Sequence, residues 1–315
     1  MDQLAAAIAR HSACGYGSAG SGGSPDGVGS GGDTQVPRLT LVALDEPVPP
    51  ADLLYEPMIC FIAEGAKHSA AGERSWRTRR GEMFLNALVL PVTVVFERLP
   101  YRAAVMRLDG GVLADLLLEL DGAGGPPPPP VPAAFEGQVS APMTPQVVDA
   151  VTRWVRLLDT PGDIRALAPR VEAEILYRLL GSPLGPMLRR LATAGTAAAR
   201  VRAAAAWISA HFREPLTVEA VAAVAHMSPA TLHRHFKAAT GMGPLRFQKD
   251  LRLQEARRRL VSGDATAAMV AEAVGYASAT QFSREYRRRY GLPPARDAVR
   301  LRARMAAPVP PRTGT

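Results

Sequence analysis

Ser228 to Thr240 reads SPATLHRHFKAAT, and Gly241 follows it. Serine is a good helix N-cap, and proline suits the first helical position. Leu232 and Phe236 lie four residues apart and share one inward stripe. That turns His233, Arg234 and Lys237 outward, where polar tips can meet base edges and phosphates. Gly241 supplies a left-handed stop after the last turn. The stretch is predicted to be the recognition helix of a helix-turn-helix, the element that lies in the DNA major groove.

The pattern is written twice. Ser278 to Tyr290 reads SATQFSREYRRRY, followed by Gly291. At one fixed offset Ser228 meets Ser278, Leu232 meets Phe282 and Arg234 meets Arg284; Phe236 then meets Tyr286, Gly241 meets Gly291 and Pro244 meets Pro294. Such a run favours an internal repeat over two unrelated amphipathic helices. Each copy has a preceding helix. LTVEAVAAVAHM is capped by Thr217, with Glu219 in its first turn and Val218, Val221, Ala222 and Val224 on an apolar face. ATAAMVAEAVGYA offers Met269, Val270, Ala271 and Val274. Ala222 and Ala271 are small where the helices of each unit should cross. Gly275 occupies the second turn and His226 the first, and Ser278 with Gln281 reads as a capping box.

Between the units, PLRFQKDLRLQEARRRLVSGD carries Phe247, Leu251, Leu253 and Leu260 on one stripe with basic residues outside. Pro244 can open this helix and Gly263 can close it. About 18 residues at ~1.5 Å each make a rod of roughly 27 Å. A rod of that length can hold two recognition helices about one DNA turn apart, roughly 34 Å.

The net charge of +8 is unevenly placed. Arg200 to Arg302 holds 18 Lys and Arg against 8 Asp and Glu, so the remainder of the chain is net −2. That is the electrostatic footprint of a nucleic-acid binder, where a solvated basic face is the plainer alternative.

The residues AHMSPATLHRHFKAATGMGPLRFQKDLRLQEARRRL and VGYASATQFSREYRRRYGLPP resemble the AraC/XylS family of transcription regulators, over Val201 to about Arg302. The resemblance implies two helix-turn-helix units joined by a linker helix on an asymmetric DNA site. By position in the motif it implies base contacts from Ala230, Thr231, His233 and Arg234, and from Ala279, Thr280, Ser283 and Arg284. Ser228, Lys237, Arg287 and Arg288 are expected at phosphates, with Arg289 turned away. Alanine at both leading positions departs from the longer side chains of some relatives, so readout there rests on thymine methyl contact or is absent.

Upstream, Leu4 to Arg10 is expected to be a short helix, and the Gly/Ser-rich Ser12 to Asp33 a flexible tether. Short apolar segments then alternate with Gly, Pro and charge, as in a small barrel or sandwich. LYEPMICFIAEGAKHSAAGERSWRTRRGEMFLNALVLPVTVVF resembles the N-terminal regulatory domain of one AraC-type branch, over roughly Val36 to Leu120. This implies a cupin-like β-barrel, which in related regulators often holds a small effector. A lone His68 does not build a metal site needing three or four ligands. Cys60, among apolar neighbours, reads as core; Glu64, Lys67 and Glu73 read as solvated charges near turns; Trp76 reads as packing or pocket lining. DGAGGPPPPPVP reads as a hinge and stiff spacer. Thr144-Pro145 opens a helix with Val147, Val148, Val151, Trp154, Val155 and Leu158 inward. Pro169 to Leu180 supplies another, ended by Gly181. These helices resemble the family's dimerisation and domain-contact helices, with packing onto the barrel alone as the alternative.

Two cysteines, Cys14 and Cys60, suit a reducing cytoplasm, and no apolar run reaches the roughly 18 residues of a membrane span. The expected fold is α+β and two-domain: a cupin-like β-barrel with flanking helices, then an all-α domain of two helix-turn-helix units. The expected boundaries are 1–35 (helix and tether), 36–122 (barrel), 123–143 (linker), 144–192 (helical contact segment), 201–302 (DNA-binding domain) and 303–315 (disordered tail). Within the DNA-binding domain the units fall at about 216–240 and 266–290, around a linker helix at 244–262. The expected function is sequence-specific transcription regulation, without enzymatic activity, cofactor or metal. Expected partners are double-stranded promoter DNA, RNA polymerase, a small-molecule effector and a second copy of the chain. The rivals are a cupin-type enzyme with an appended DNA-binding module and a non-specific architectural DNA binder. A DNA-repair alkyl transferase would need a reactive Cys in a polar cluster, which Cys14 and Cys60 do not offer.

Overall fold

In the computed structural model, which describes residues 1–12, 32–122, 137–193, 195–263 and 265–306, the apolar segments of the first half form one antiparallel sheet. Its strands are β1 (Gly32–Asp33), β2 (Leu39–Leu44), β3 (Ala51–Tyr55), β4 (Met58–Ala71), β5 (Arg74–Arg79), β6 (Glu82–Asn86), β7 (Leu90–Arg107) and β8 (Gln138–Pro142). The order is β1-β2-β7-β4-β6-β8, with β3 also paired to β7 and β5 to β4.

The spine of the sheet is the long β4–β7 pair, and it bends. Register shifts run from Ile62 to Lys67. Gly65 sits there at φ 80, and a Cβ on it would lie 2.5 Å from the Arg98 carbonyl oxygen, so the bulge requires glycine. On one side of the bulge β4 and β7 pair with β6 and β2; on the other they pair with β5 and β3. Two leaves therefore fold over a common interior.

Side chains alternate across a sheet, so neighbouring residues serve opposite faces. Ile59, Phe61, Met83, Leu85, Ala104 and Met106 belong to a core shared with the helices. These helices are α1 (Asp2–His11), α2 (Gly110–Gly122), α3 (Pro145–Arg156), α4 (Ile164–Leu180) and α5 (Gly185–Ala192). Leu4 and Ile8 of α1, Trp154 and Val155 of α3, and Ile175, Leu176 and Leu179 of α4 are buried in that core. Each such side chain contributes about 1.5–3 kcal/mol by leaving water. Thr144 caps α3 by accepting from the Val147 N–H at 3.3 Å. Arg38 donates to both carboxylate oxygens of buried Glu172 and so ties the start of β2 to α4.

Several expectations change. β1 begins before Gln35, and β8 lies inside the predicted 123–143 linker, where its backbone completes the ladder beside β6. The second helix of the contact segment starts at Ile164, with Pro169 inside it; buried Ile164 and Ala168 extend the apolar stripe one turn earlier. Lys67 is not a solvated charge: it lies on β4 and is only 5% exposed, because the bend turns it inward. The expectations placed on residues 13–31 (with Cys14), 123–136 and 307–315 fall outside the described residues.

The remaining helices are α6 (Ala197–His211), α7 (Val218–Val224), α8 (Pro229–Thr240), α9 (Pro244–Ser262), α10 (Ala267–Ala273), α11 (Ala279–Tyr290) and α12 (Pro294–Ala306). Thus the expected tail from 303 is helical to Ala306. The chain divides into two compact units, Met1–Trp207 with Val218–Pro244, and Ile208–Thr217 with Leu245–Thr315. In the first unit α7 and α8 pack with the sheet body. The cause is local: the Glu73 N–H, in the β4–β5 turn, donates to the Gly241 carbonyl at 3.2 Å. Gly72 is close enough that a Cβ would lie 2.6 Å from the same oxygen.

Candidate nucleic-acid interface

Both recognition helices are built by the same local chemistry. Ser228 caps α8 by accepting from the Thr231 N–H, and Ser278 caps α11 by accepting from the Gln281 N–H, each at 3.3 Å. Such a cap is worth about 1 kcal/mol. Gly241 (φ 78) and Gly291 (φ 79) end the helices in the left-handed conformation. Leu232 and Phe236 of α8 are fully buried, as are Phe282 and Tyr286 of α11. The capping box is only half made: the Gln281 side chain reaches Glu285 at 3.4 Å instead of returning to Ser278.

The turns before them also match. At the end of α7 the His226 N–H donates to Ala223 and the Met227 N–H to Ala222. At the end of α10 the Gly275 N–H donates to Glu272 and the Tyr276 N–H to Ala271. Both are Schellman-type closures, with His226 at φ 48 and Gly275 at φ 88. The second turn is longer by one residue. Met269, expected on the apolar face of α10, is instead 61% exposed; Val270 and Ala271 are buried there.

On α8 Ser228, Ala230, His233, Arg234 and Lys237 are exposed and Thr231 is half-buried. On α11 Ala279, Thr280, Arg284, Arg287 and Arg288 are exposed and Ser283 is half-buried. Arg289 lies over the Tyr290 ring, 5.2 Å from its centroid. Each helix therefore gathers its expected contact residues on a solvent face. His233, Arg234 and Lys237 also line a cleft with Glu73 and Arg74 of the β4–β5 turn. Lys237 Nζ pairs with Glu73 at 3.2 Å, and Glu73 stays an exposed charge at the β4–β5 turn, as expected.

Two buried carboxylates that periodicity does not reveal support the second unit. Glu285 accepts from Lys249 Nζ and from the Tyr276 hydroxyl, each at 2.9 Å. Asp297, fully buried, accepts from Arg257 at 3.0 Å, from the Tyr286 hydroxyl at 2.9 Å and from Arg300 at 2.6 Å. Burial pushes the Glu285 carboxyl up, but bonds from Lys249, Tyr276 and Gln281 outweigh it and hold it below the usual glutamate range. A depressed folded value gives stability above the unfolded value and loses it as pH falls through the folded one. Acidification below the ordinary glutamate range should therefore weaken the unit, and Glu285→Gln should flatten that part of the curve. Urea melts across the acid range check this; an unchanged slope would remove Glu285 from the cause.

Among the described residues no group of three or more His, Cys, Asp or Glu could hold a metal ion, and no helix is long and apolar enough to cross a membrane.

A doubled helix-turn-helix with exposed basic faces, carried with a bent antiparallel sheet, defines a two-part protein of the regulator class. The family described as the AraC-type transcriptional regulator N-terminus matches residues 35–187, and a helix-turn-helix domain family matches residues 221–298. The chain belongs to the AraC family of transcription regulators. It is 37% identical over 92 residues to the uncharacterized HTH-type transcriptional regulator YobQ of Bacillus subtilis, covering 29% of this chain and 38% of that one. It is 32% identical over 161 residues to the HTH-type transcriptional activator RhaS of Salmonella schwarzengrund, covering 49% and 56%. The chain thus spans about a third to just over half of the length of these relatives. Among solved structures, an apo ToxT variant from Vibrio cholerae superposes with a TM-score of 0.53 at 8% identity, over 83% of this chain and 97% of that one. Wild-type ToxT with a bound unsaturated fatty acid gives 0.50 at 9%, over 82% and 93%. At such identities these likenesses bear on the fold alone.

Proposed function

We propose that the chain is a sequence-specific regulator of transcription that binds double-stranded promoter DNA through α8 and α11. The observation that carries this is the pair of recognition helices with matching caps, matching left-handed stops and one exposed arginine each at the same place, Arg234 and Arg284. A single basic face would serve non-specific binding; two equivalent reading faces serve an extended asymmetric site. In this reading Ala230, Thr231, His233 and Arg234, with Ala279, Thr280, Ser283 and Arg284, face bases. Ser228, Lys237, Arg287 and Arg288 hold phosphates. The linker helix α9, 19 residues long, is a rod of roughly 28 Å, suited to a span of two successive major grooves. Footprinting tests the reading: a protected site of about two helical turns supports it, and uniform protection of random DNA overturns it.

RNA polymerase is the partner implied for a regulator, in the cytoplasm where promoter DNA is found. A second copy of the chain is a further partner in this reading, and exposed Leu167 and Tyr177 of α4 offer it an apolar surface. The sheet domain is read as the sensor of a small effector, supported by the likeness to ToxT, one structure of which holds an unsaturated fatty acid. The reading assigns no reaction and no resident cofactor to the chain.

Lys237 gives a separate test of the phosphate set. Lys237→Ala should weaken binding to all DNA alike and flatten the slope of log affinity against log salt by about one. Because Lys237 must exchange Glu73 for a phosphate, Glu73→Gln should strengthen binding without changing sequence preference. Affinities measured over a salt series check both; an unchanged slope in the lysine variant removes it from the phosphate set.

A further inference from the structure

We propose that the interior of the folded sheet is a receptor site for a small carboxylic acid, with Lys67 as its counter-ion. This deepens the effector-sensing reading above and rests on it.

Three observations converge on the interior. First, the Lys67 ammonium is buried with no carboxylate among its described partners. Its Nζ lies 3.2 Å from the Tyr55 hydroxyl and 3.6 Å from Cys60 Sγ. The ring centroids of Tyr55, Phe84 and Tyr101 stand 5.3–6.0 Å away. Ring faces compensate a buried cation only in part. A buried ammonium without an anion remains costly. Burial disfavours the ammonium, and negative charge on Cys60, Tyr101 or Tyr55 favours it more, which sets its titration above the ordinary lysine value.

Second, polar groups beside it are unsatisfied. Thr78 stands directly opposite Lys67 in the β4–β5 register and is fully buried. Its Oγ1 makes no hydrogen bond. Trp76 is two residues away on the same face of β5, and its buried Nε1–H also has no acceptor. Side chains directly opposite across an antiparallel pair share a face, which places these groups with Lys67.

Third, the walls are aromatic and the remaining polar groups are donors. Trp76 stacks on Phe84 at 5.4 Å. Burial pushes the Tyr101 phenol well above its ordinary value, so it keeps its proton. An ammonium, an indole N–H and several hydroxyls call for an acceptor-rich, negatively charged group. A carboxylate supplies two oxygens and the missing charge, and an apolar body suits the ring faces.

The test uses the full chain, with octanoate and benzoate as probes and octanamide and benzamide as neutral matches. Near saturation the acids should raise Tm by several degrees and the amides should not. Lys67→Met should abolish the response, and Lys67→Arg should keep it. The methionine variant should fold at least as well as the parent, since it replaces a buried charge with an apolar chain of similar length. Were it not to fold, Thr78→Val carries the test, with an expected loss of acid affinity of roughly threefold to tenfold. No Tm rise with either acid, an equal rise with the amides, or a rise retained in Lys67→Met would overturn the proposal. An equal rise with acids and amides would leave effector sensing standing while removing the charge assignment. Acids that bind through Lys67 but do not alter the DNA footprint would leave the site standing and sink the sensing reading.

Discussion

Arg234→Ala and Arg284→Ala should each weaken binding to the cognate site by about 1–3 kcal/mol, roughly 5- to 150-fold, and relax preference at one base pair. The expectation follows from exposure and repetition. Both guanidinium groups stand on solvent faces of helices whose inner residues are buried, at equivalent places after a serine cap. Arginine presents a fixed fork of donors that matches guanine O6 and N7, so its loss removes a contact specific to one base. A phosphate contact would behave differently, with affinity for cognate and random duplexes falling together. Competition titrations with a library of single-base operator variants separate the two outcomes. Equal losses on operator and random DNA would remove these arginines from the reading set.

Gly275→Ala should destabilise the second helix-turn-helix by about 3–5 kcal/mol, at the severe end for one methyl group. At φ 88 an alanine is strained by about 1–2 kcal/mol through its backbone alone. The added Cβ would also lie 2.0 Å from the Arg213 carbonyl oxygen, a backbone atom that cannot swing away. Gly291→Ala is the control. It has nearly the same φ, 79, but no atom within 4 Å of its Cβ, so only the backbone strain of about 1–2 kcal/mol should appear. Denaturant unfolding of the two variants measures the difference. A Gly275→Ala variant no less stable than Gly291→Ala would show that the turn can shift away from Arg213.

The recognition helices were legible because their signals are local. A serine cap, an i and i+4 apolar pair and a terminal glycine act within one or two turns, so Ser228–Gly241 and Ser278–Gly291 could be read residue by residue. Lys67 was misread for the converse reason. In the linear chain it follows Glu64 and Gly65 and looks like a turn charge. Only the bulge at Gly65, fixed by close approach to Arg98, turns it into the interior. Glu285 and Asp297 look like ordinary helix-surface acids in sequence. Their partners Lys249, Tyr276 and Arg257 come from other elements, so nothing nearby in the chain marks them as buried. Pro169 and the strand Gln138–Pro142 show the same limit, since tertiary packing overrode a helix-start signal and a Gly/Pro-rich context.

From its residues alone this protein is determined to carry two capped amphipathic helices, a basic second half and an all-α end, because caps, apolar stripes and charge are properties of short stretches. The bend of the sheet, the division of the chain into its two units and the burial of Lys67, Glu285 and Asp297 were decided only in three dimensions. They depend on which distant backbone and side-chain atoms meet, and contact between residues far apart in sequence leaves no periodic trace along the chain.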